Sequence, residues 1–132
     1  MATINVSSNG TRYGQNVSVR DFQFVADEPS SIGGDDRGAT PMEYVLAGLG
    51  ACKAITIRMY AERRGWSLDT VDVQINYERS SAKEKPFVQA QLIFSGDLDE
   101  AQRARLKEIG DRCPVHRFLS EQLTIETTID HP

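Results

Sequence analysis

The first third of the chain places apolar residues as short strands do. In "TINVSSNGTRYGQNVSVRDFQFVADE", the segments Val17 to Val19 and Phe22 to Ala26 alternate or cluster apolar side chains. The pair Asn9-Gly10 is a hairpin signal, because both residues tolerate the positive φ that a tight turn demands. Three strands in a β-meander are expected. The pattern then breaks in "EPSSIGGDDRGATP", where Gly, Pro, Ser and Asp dominate. A loop of about a dozen residues is long enough to suspect a function.

A long helix follows. Thr40 suits an N-cap and Pro41 the first helical position, and Gly65 supplies the stop after Arg64. Val45, Leu49, Cys52, Thr56 and Met59 recur at steps of three and four, so they form the expected apolar stripe. Between Tyr44 and Cys52 the remaining positions are uncharged as well. A helix that is apolar nearly all round is expected to be buried nearly all round. One short chain does not easily cover such a helix, and this motivates an oligomer.

The second half alternates strand and helix patterns. Val71 to Glu78 and Pro86 to Gly96 read as a hairpin across a turn at "SSAKEK". Ala101, Leu106 and Ile109 have helical spacing, and Pro114 opens a second short helix in "PVHRFLSE". Leu123 to Ile129 alternates and is expected to close the chain as a strand. The order is three strands, a long helix, two strands, one or two helices and a strand. This is an α+β fold in a single domain over residues 1–132.

Size and composition narrow the function. A chain of 132 residues buries roughly two thirds of its unfolded surface, so it holds a core without staples. A net charge of -4 supplies no electrostatic footprint for nucleic acid or an anionic membrane, and neither is expected as a partner. No apolar run has the roughly 18 residues of a bilayer span. "MATINVSSNGTRYG" has neither the basic nor the apolar region of a signal peptide. A cytoplasmic location is expected, and there two cysteines are reduced core residues or a catalytic pair.

Cys52 and Cys113 are the candidates for chemistry. The thiolate is the reactive form of cysteine, and burial opposes it. A reactive buried cysteine therefore needs a cation beside it. Lys53 follows Cys52 in sequence but is expected to point elsewhere on the helix, so Arg12, Arg20 and Arg37 are the better candidates. The alternative for both cysteines is simple packing. If they react and meet in the fold, the part of Cys113 is to condense with a sulfenic acid on Cys52; their separation of 61 residues neither supports nor excludes such a meeting. His116 makes a C-x-x-H pair with Cys113, but no second short pair exists, so neither zinc nor any other metal or cofactor is expected. His116 itself reads as a helix-surface or capping residue. Asp35 and Asp36 in "GGDDRG" lack the spacing of a phosphate loop or an EF-hand and read as a solvated turn.

The chain resembles the family of osmotically inducible protein C and organic hydroperoxide resistance protein (OsmC/Ohr). The resemblance rests on "DEPSSIGGDDRGATPMEYVLAGLGACKAITIRMYAERRGW" and on "CPVHRFL". In particular, a glycine-rich loop leads to Pro41, and eleven residues later comes the helical Cys52. The resemblance implies an intertwined homodimer with the cysteine helix buried at its centre. It also implies a peroxiredoxin-like thiol peroxidase, with Cys52 peroxidatic and Cys113 resolving. Arg12 in "TRYG" takes the place of the family's arginine. The glutamate of the peroxidase branch directly follows the loop proline. Here that place is Met42, and the carboxylate is Glu43, turned by about 100° on a helix. The sequence is closer to the broad OsmC-like branch.

The implied substrate is an organic hydroperoxide or hydrogen peroxide. The implied reductant is a dithiol, of lipoyl or thioredoxin type, in oxidative or osmotic stress defence. A non-catalytic small-molecule binding or redox-sensing dimer is the alternative.

Overall fold

A computed structural model describes residues 2–78 and 85–130. By its contacts the chain divides into two compact units, Met1–Ala47 and Gly48–Pro132. In the first, β1 (Asn5–Ser8), β2 (Gln15–Val19) and β3 (Phe22–Ala26) form an antiparallel sheet in that order. This is the expected meander. The loop after β3 is ordered by its own backbone. Asp27 is buried, and its carboxylate accepts from the N–H groups of Glu28 at 2.7 Å and Arg37 at 3.2 Å. The Glu28 N–H is the main force holding the Asp27 carboxyl below the usual range; burial opposes it, and the Arg37 and Asp35 N–H groups and the Arg37 charge assist. A Cβ at Gly34 would overlap the Glu28 carbonyl, so only glycine fits there.

Helix α1 runs from Pro41 to Arg64, as its start and stop signals predict. Thr40 and Glu43 form a capping box: the Glu43 N–H donates to Thr40 Oγ1 at 3.2 Å, and the Thr40 N–H donates to Glu43 Oε1 at 2.8 Å. Tyr44 anchors this first turn within the first unit. Its hydroxyl donates to the Val25 carbonyl at 2.6 Å, and its ring packs on Phe24 at 4.9 Å. At the far end Gly65 adopts φ 66°, and the Trp66 N–H closes onto the Ala61 carbonyl at 3.0 Å.

In the second unit β4 (Ser67–Glu78) and β5 (Phe87–Asp97) form an antiparallel pair. Residues 80–84, where a turn is expected, lie outside the described residues. Along β4, Val71, Val73, Ile75 and Tyr77 turn to the covered face and their neighbours to solvent, as strict alternation requires. Helices α2 (Glu100–Gly110) and α3 (Pro114–Ser120) follow, and Asp99 caps α2 in a second capping box with Gln102. The core of this unit joins Ile57, Ala61, Leu68 and Leu106, with Trp66, Leu92 and Phe94 packed around them.

Two expectations are corrected. The buried row of α1 is Leu49, Lys53, Ile57 and Ala61, with Gly50 beside it, while Val45, Ile55 and Met59 of the predicted stripe and its surroundings are exposed within the chain. Within one chain the helix is therefore buried on one side, along a different row from the expected stripe. The stripe reading missed this row because a lysine occupies it. Second, Leu123 to Ile129 does not form a strand: residues 122–130 belong to no helix or strand. The alternation is present, but a strand also needs a partner's N–H and C=O groups, and none in the described chain pairs with it. Ile125 and Ile129 are left 78% and 85% exposed.

Candidate redox site

The site is built where α1, α2 and α3 of the second unit approach one another. Gly110 ends α2 against Ile57, whose Cδ1 would lie 3.0 Å from a Cβ at that position. The absence of a side chain at Gly110 brings the last carbonyls of α2 up to the buried row of α1. Lys53 emerges from that row, almost fully buried. Its Nζ donates to the Gly110 carbonyl at 3.1 Å and to Asp111 Oδ1 at 3.4 Å, and it lies 2.9 Å from His116 Nδ1. As an ammonium has only donors, the imidazole accepts at Nδ1 and carries its proton on Nε2. A cation among the last carbonyls of α2 also complements the negative end of that helix.

Cys113 follows immediately and is fully buried. It is the N-cap of α3, where Sγ accepts the His116 N–H at 3.3 Å. Pro114 at the first helical position fixes the chain direction after it. Cys52 is half-buried, and both cysteines are free thiols. They are neighbours across the site: burial above all pushes the Cys113 thiol up and the nearby Cys52 adds to this, while the His116 N–H and the Lys53 charge pull it down. The net effect is upward. Asp111 is drawn the other way. Burial acts to raise its carboxyl, but Lys53 and then Lys107, 3.4 Å away, outweigh it and hold the carboxyl low.

Two cavities adjoin Lys53. One, of about 530 Å³, is lined by Leu92, Phe94, Glu100, Arg103, Lys107 and Asp111 among others. The other, of about 390 Å³, reaches Leu49, Val88, His116 and Leu119. Lys53 was missed as a site residue, and His116 is a partner of that lysine where a helix-surface or capping role for its side chain was expected. One signal was available: Leu49, Lys53, Ile57 and Ala61 stand at exact steps of four, so a lone charge lay in line with three small or apolar residues.

The other expected residues belong to the first unit. The Arg12 guanidinium lies 4.9 Å from the centre of the Tyr13 ring and beside Gly33. Glu43 is held in the capping box, so its carboxylate completes the start of α1. Of the expected site residues, the two cysteines come together in the second unit, and Lys53, which was not expected there, lies with them.

The fold occurs in solved structures of low sequence identity. An OsmC-like protein from Mycoplasma pneumoniae is 18% identical, with a TM-score of 0.75, covering 90% of this chain and 86% of the other. The organic hydroperoxide resistance protein OsmC of Legionella pneumophila is 17% identical, with a TM-score of 0.68, covering 91% and 89%. The organic hydroperoxide resistance protein OhrB of Bacillus subtilis is 16% identical, with a TM-score of 0.62, covering 91% and 90%. No curated protein matches the sequence. The model of the OsmC-like protein family matches residues 33–128, a span that contains the end of the loop, α1, both strands of the hairpin and the thiol pair, and the chain belongs to that family.

Proposed function

We propose that the protein is a cysteine-dependent thiol peroxidase that reduces organic hydroperoxides, and hydrogen peroxide less well, in oxidative or osmotic stress defence. The observation that carries the reading is the asymmetric thiol pair: a half-buried Cys52 beside a fully buried Cys113. The names of the relatives from Legionella and Bacillus, which are organic hydroperoxide resistance proteins, support the same substrate class.

The chemistry has three steps. The Cys52 thiolate attacks the terminal oxygen of R–O–O–H. The O–O bond breaks, Cys52 becomes a sulfenic acid, and the alkoxide takes a proton to leave as an alcohol. Cys113 then attacks the Cys52 sulfur. The S–S bond forms, and the hydroxide released combines with the Cys113 proton to give water. A dithiol of lipoyl or thioredoxin type finally returns both thiols and is itself oxidised to a disulfide. Cys52 suits the first role because it is the accessible thiol, and Cys113 the second because burial keeps it from competing for peroxide. Arg12 is assigned the guanidinium that supports the Cys52 thiolate, following the family pattern. The test is treatment with one equivalent of cumene hydroperoxide and mass spectrometry. A Cys52–Cys113 disulfide is expected; neither disulfide nor Cys52 sulfenate would overturn the reading.

The same proposal includes a homodimer. Ile55 and Met59 leave one side of α1 uncovered, and Leu123, Ile125 and Ile129 add an alternating apolar segment with no strand partner. A second copy covers both. Sedimentation at micromolar concentration is expected to return twice the chain mass, and a well-folded monomer would remove the dimer.

One observation favours the alternative, a binding or redox-sensing dimer without turnover. Met42 stands at the glutamate position, and Glu43 is engaged by the Thr40 N–H. A redox-sensing dimer still forms the disulfide with one equivalent of peroxide, but no dithiol sustains multiple turnovers; a binding dimer forms neither disulfide nor Cys52 sulfenate.

A further inference from the structure

We infer that Lys53 is a positioning residue for the second thiol: its buried ammonium supplies the positive charge against which Cys113 ionises to attack the Cys52 sulfenic acid. The inference rests on the peroxidase reading for its catalytic meaning, but the electrostatic part stands by itself.

Burial distinguishes Lys53 from the exposed Lys107, which shares Asp111 with it. Its side chain is 4% exposed, so its charge is screened little by solvent. Its three partners, Gly110, Asp111 and His116, lie three before, two before and three after Cys113 in the chain. The ammonium is thus held by the same short segment that presents the thiol. The segment also aims a dipole at the sulfur, since the His116 N–H donates to Cys113 Sγ at 3.3 Å. Two positive contributions, one full charge and one N–H, oppose the cost of burying a thiolate.

The other charged groups near this centre are accounted for. From α1 comes Cys52 with Lys53, from α2 come Lys107, Arg103 and Glu100 around the larger cavity, from the α2–α3 connection Asp111, and from α3 His116. The residues of β5 that line the two cavities are uncharged: Val88, Ala90, Gln91, Leu92 and Phe94. Among the described residues Asp111 is the one acidic partner of Lys53, and it is shared with Lys107 on the opposite carboxylate oxygen. It tempers the field that Lys53 places on the thiol.

The step so assisted balances. Cys113 loses its proton and its sulfur displaces hydroxide from Cys52–S–OH. The Cys113 sulfur is oxidised, the Cys52 sulfur is reduced, and proton and hydroxide leave as water. The part of Lys53 is to make the thiolate available in a buried place where peroxide does not compete for it.

Two substitutions with opposite expected signs test this. Cys113 is titrated by its thiolate ultraviolet absorbance in the Cys52→Ser protein, which contains no other thiol. Adding Lys53→Met moves the Cys113 titration to higher pH, and Lys53→Arg returns it toward the parent. Adding Asp111→Asn moves it to lower pH, because the field of Lys53 is then less compensated. In the protein with both cysteines, Lys53→Met slows disulfide formation after one equivalent of cumene hydroperoxide. The loss is on the order of tenfold at neutral pH and diminishes as pH rises. Sulfenate at Cys52, trapped with dimedone, accumulates meanwhile. A Cys113 titration unmoved by both Lys53→Met and Asp111→Asn overturns the inference. Absence of disulfide and sulfenate in the parent overturns the peroxidase reading instead, and the titration still decides the role of Lys53.

Discussion

Cys52→Ser reduces peroxide consumption in the presence of excess dithiol to the uncatalysed background, whereas Cys113→Ser retains one fast turnover and then stops. The two outcomes differ because the thiols occupy different environments. Cys52 is the half-buried one, so peroxide reaches it. Its sulfur forms the S–O bond in the first step, and a serine hydroxyl at the same place is far less nucleophilic. Cys113 is fully buried at the N-cap of α3, and its burial raises it as an acid. It does not meet peroxide first. Without it, the sulfenic acid on Cys52 has no neighbouring thiol to condense with and persists until further peroxide carries it to the sulfinic form. Stopped-flow consumption of cumene hydroperoxide, followed by mass spectrometry of each variant, separates the cases. Equal steady-state turnover in Cys52→Ser and the parent would end the assignment.

Leu106→Ala destabilises the protein by about 2–5 kcal/mol, the largest expected loss from a single truncation outside the thiols. Leu106 has no exposed surface and lies in the cluster that also holds Ile57, Ala61 and Leu68. The helix that carries it ends at Gly110, close against Ile57 of α1. Little room exists for these elements to close over a cavity without moving the carbonyl that binds Lys53. Leu106→Met, which nearly conserves volume, costs less than about 1.5 kcal/mol. Urea unfolding at fixed protein concentration measures both, since association also contributes to apparent stability. A loss below about 1 kcal/mol for the alanine variant would show that the core is not organised around this side chain.

Local rules made most of the elements legible in the chain. Thr40, Pro41 and Gly65 bound α1 because capping and termination depend on a few neighbouring residues. The alternation in Val71 to Glu78 yields a strand because successive side chains face opposite ways whatever lies beside them. The loop, the spacing from Pro41 to Cys52 and the second cysteine before Pro114 carry the family resemblance in the same local manner. What lies between elements was decided elsewhere. Which side of α1 is buried depends on where Gly50 and Gly110 allow the strands and α2 to approach. A lysine can occupy that side because a carbonyl, a carboxylate and an imidazole from more than fifty residues away converge on its ammonium. The final apolar alternation fits a strand, yet a strand also needs a partner, and none of the described residues pairs with it. Cys52 and Cys113 are 61 residues apart, a separation that neither demands nor forbids contact; the tertiary structure brings them together by holding the segment around Cys113 against Lys53 of α1.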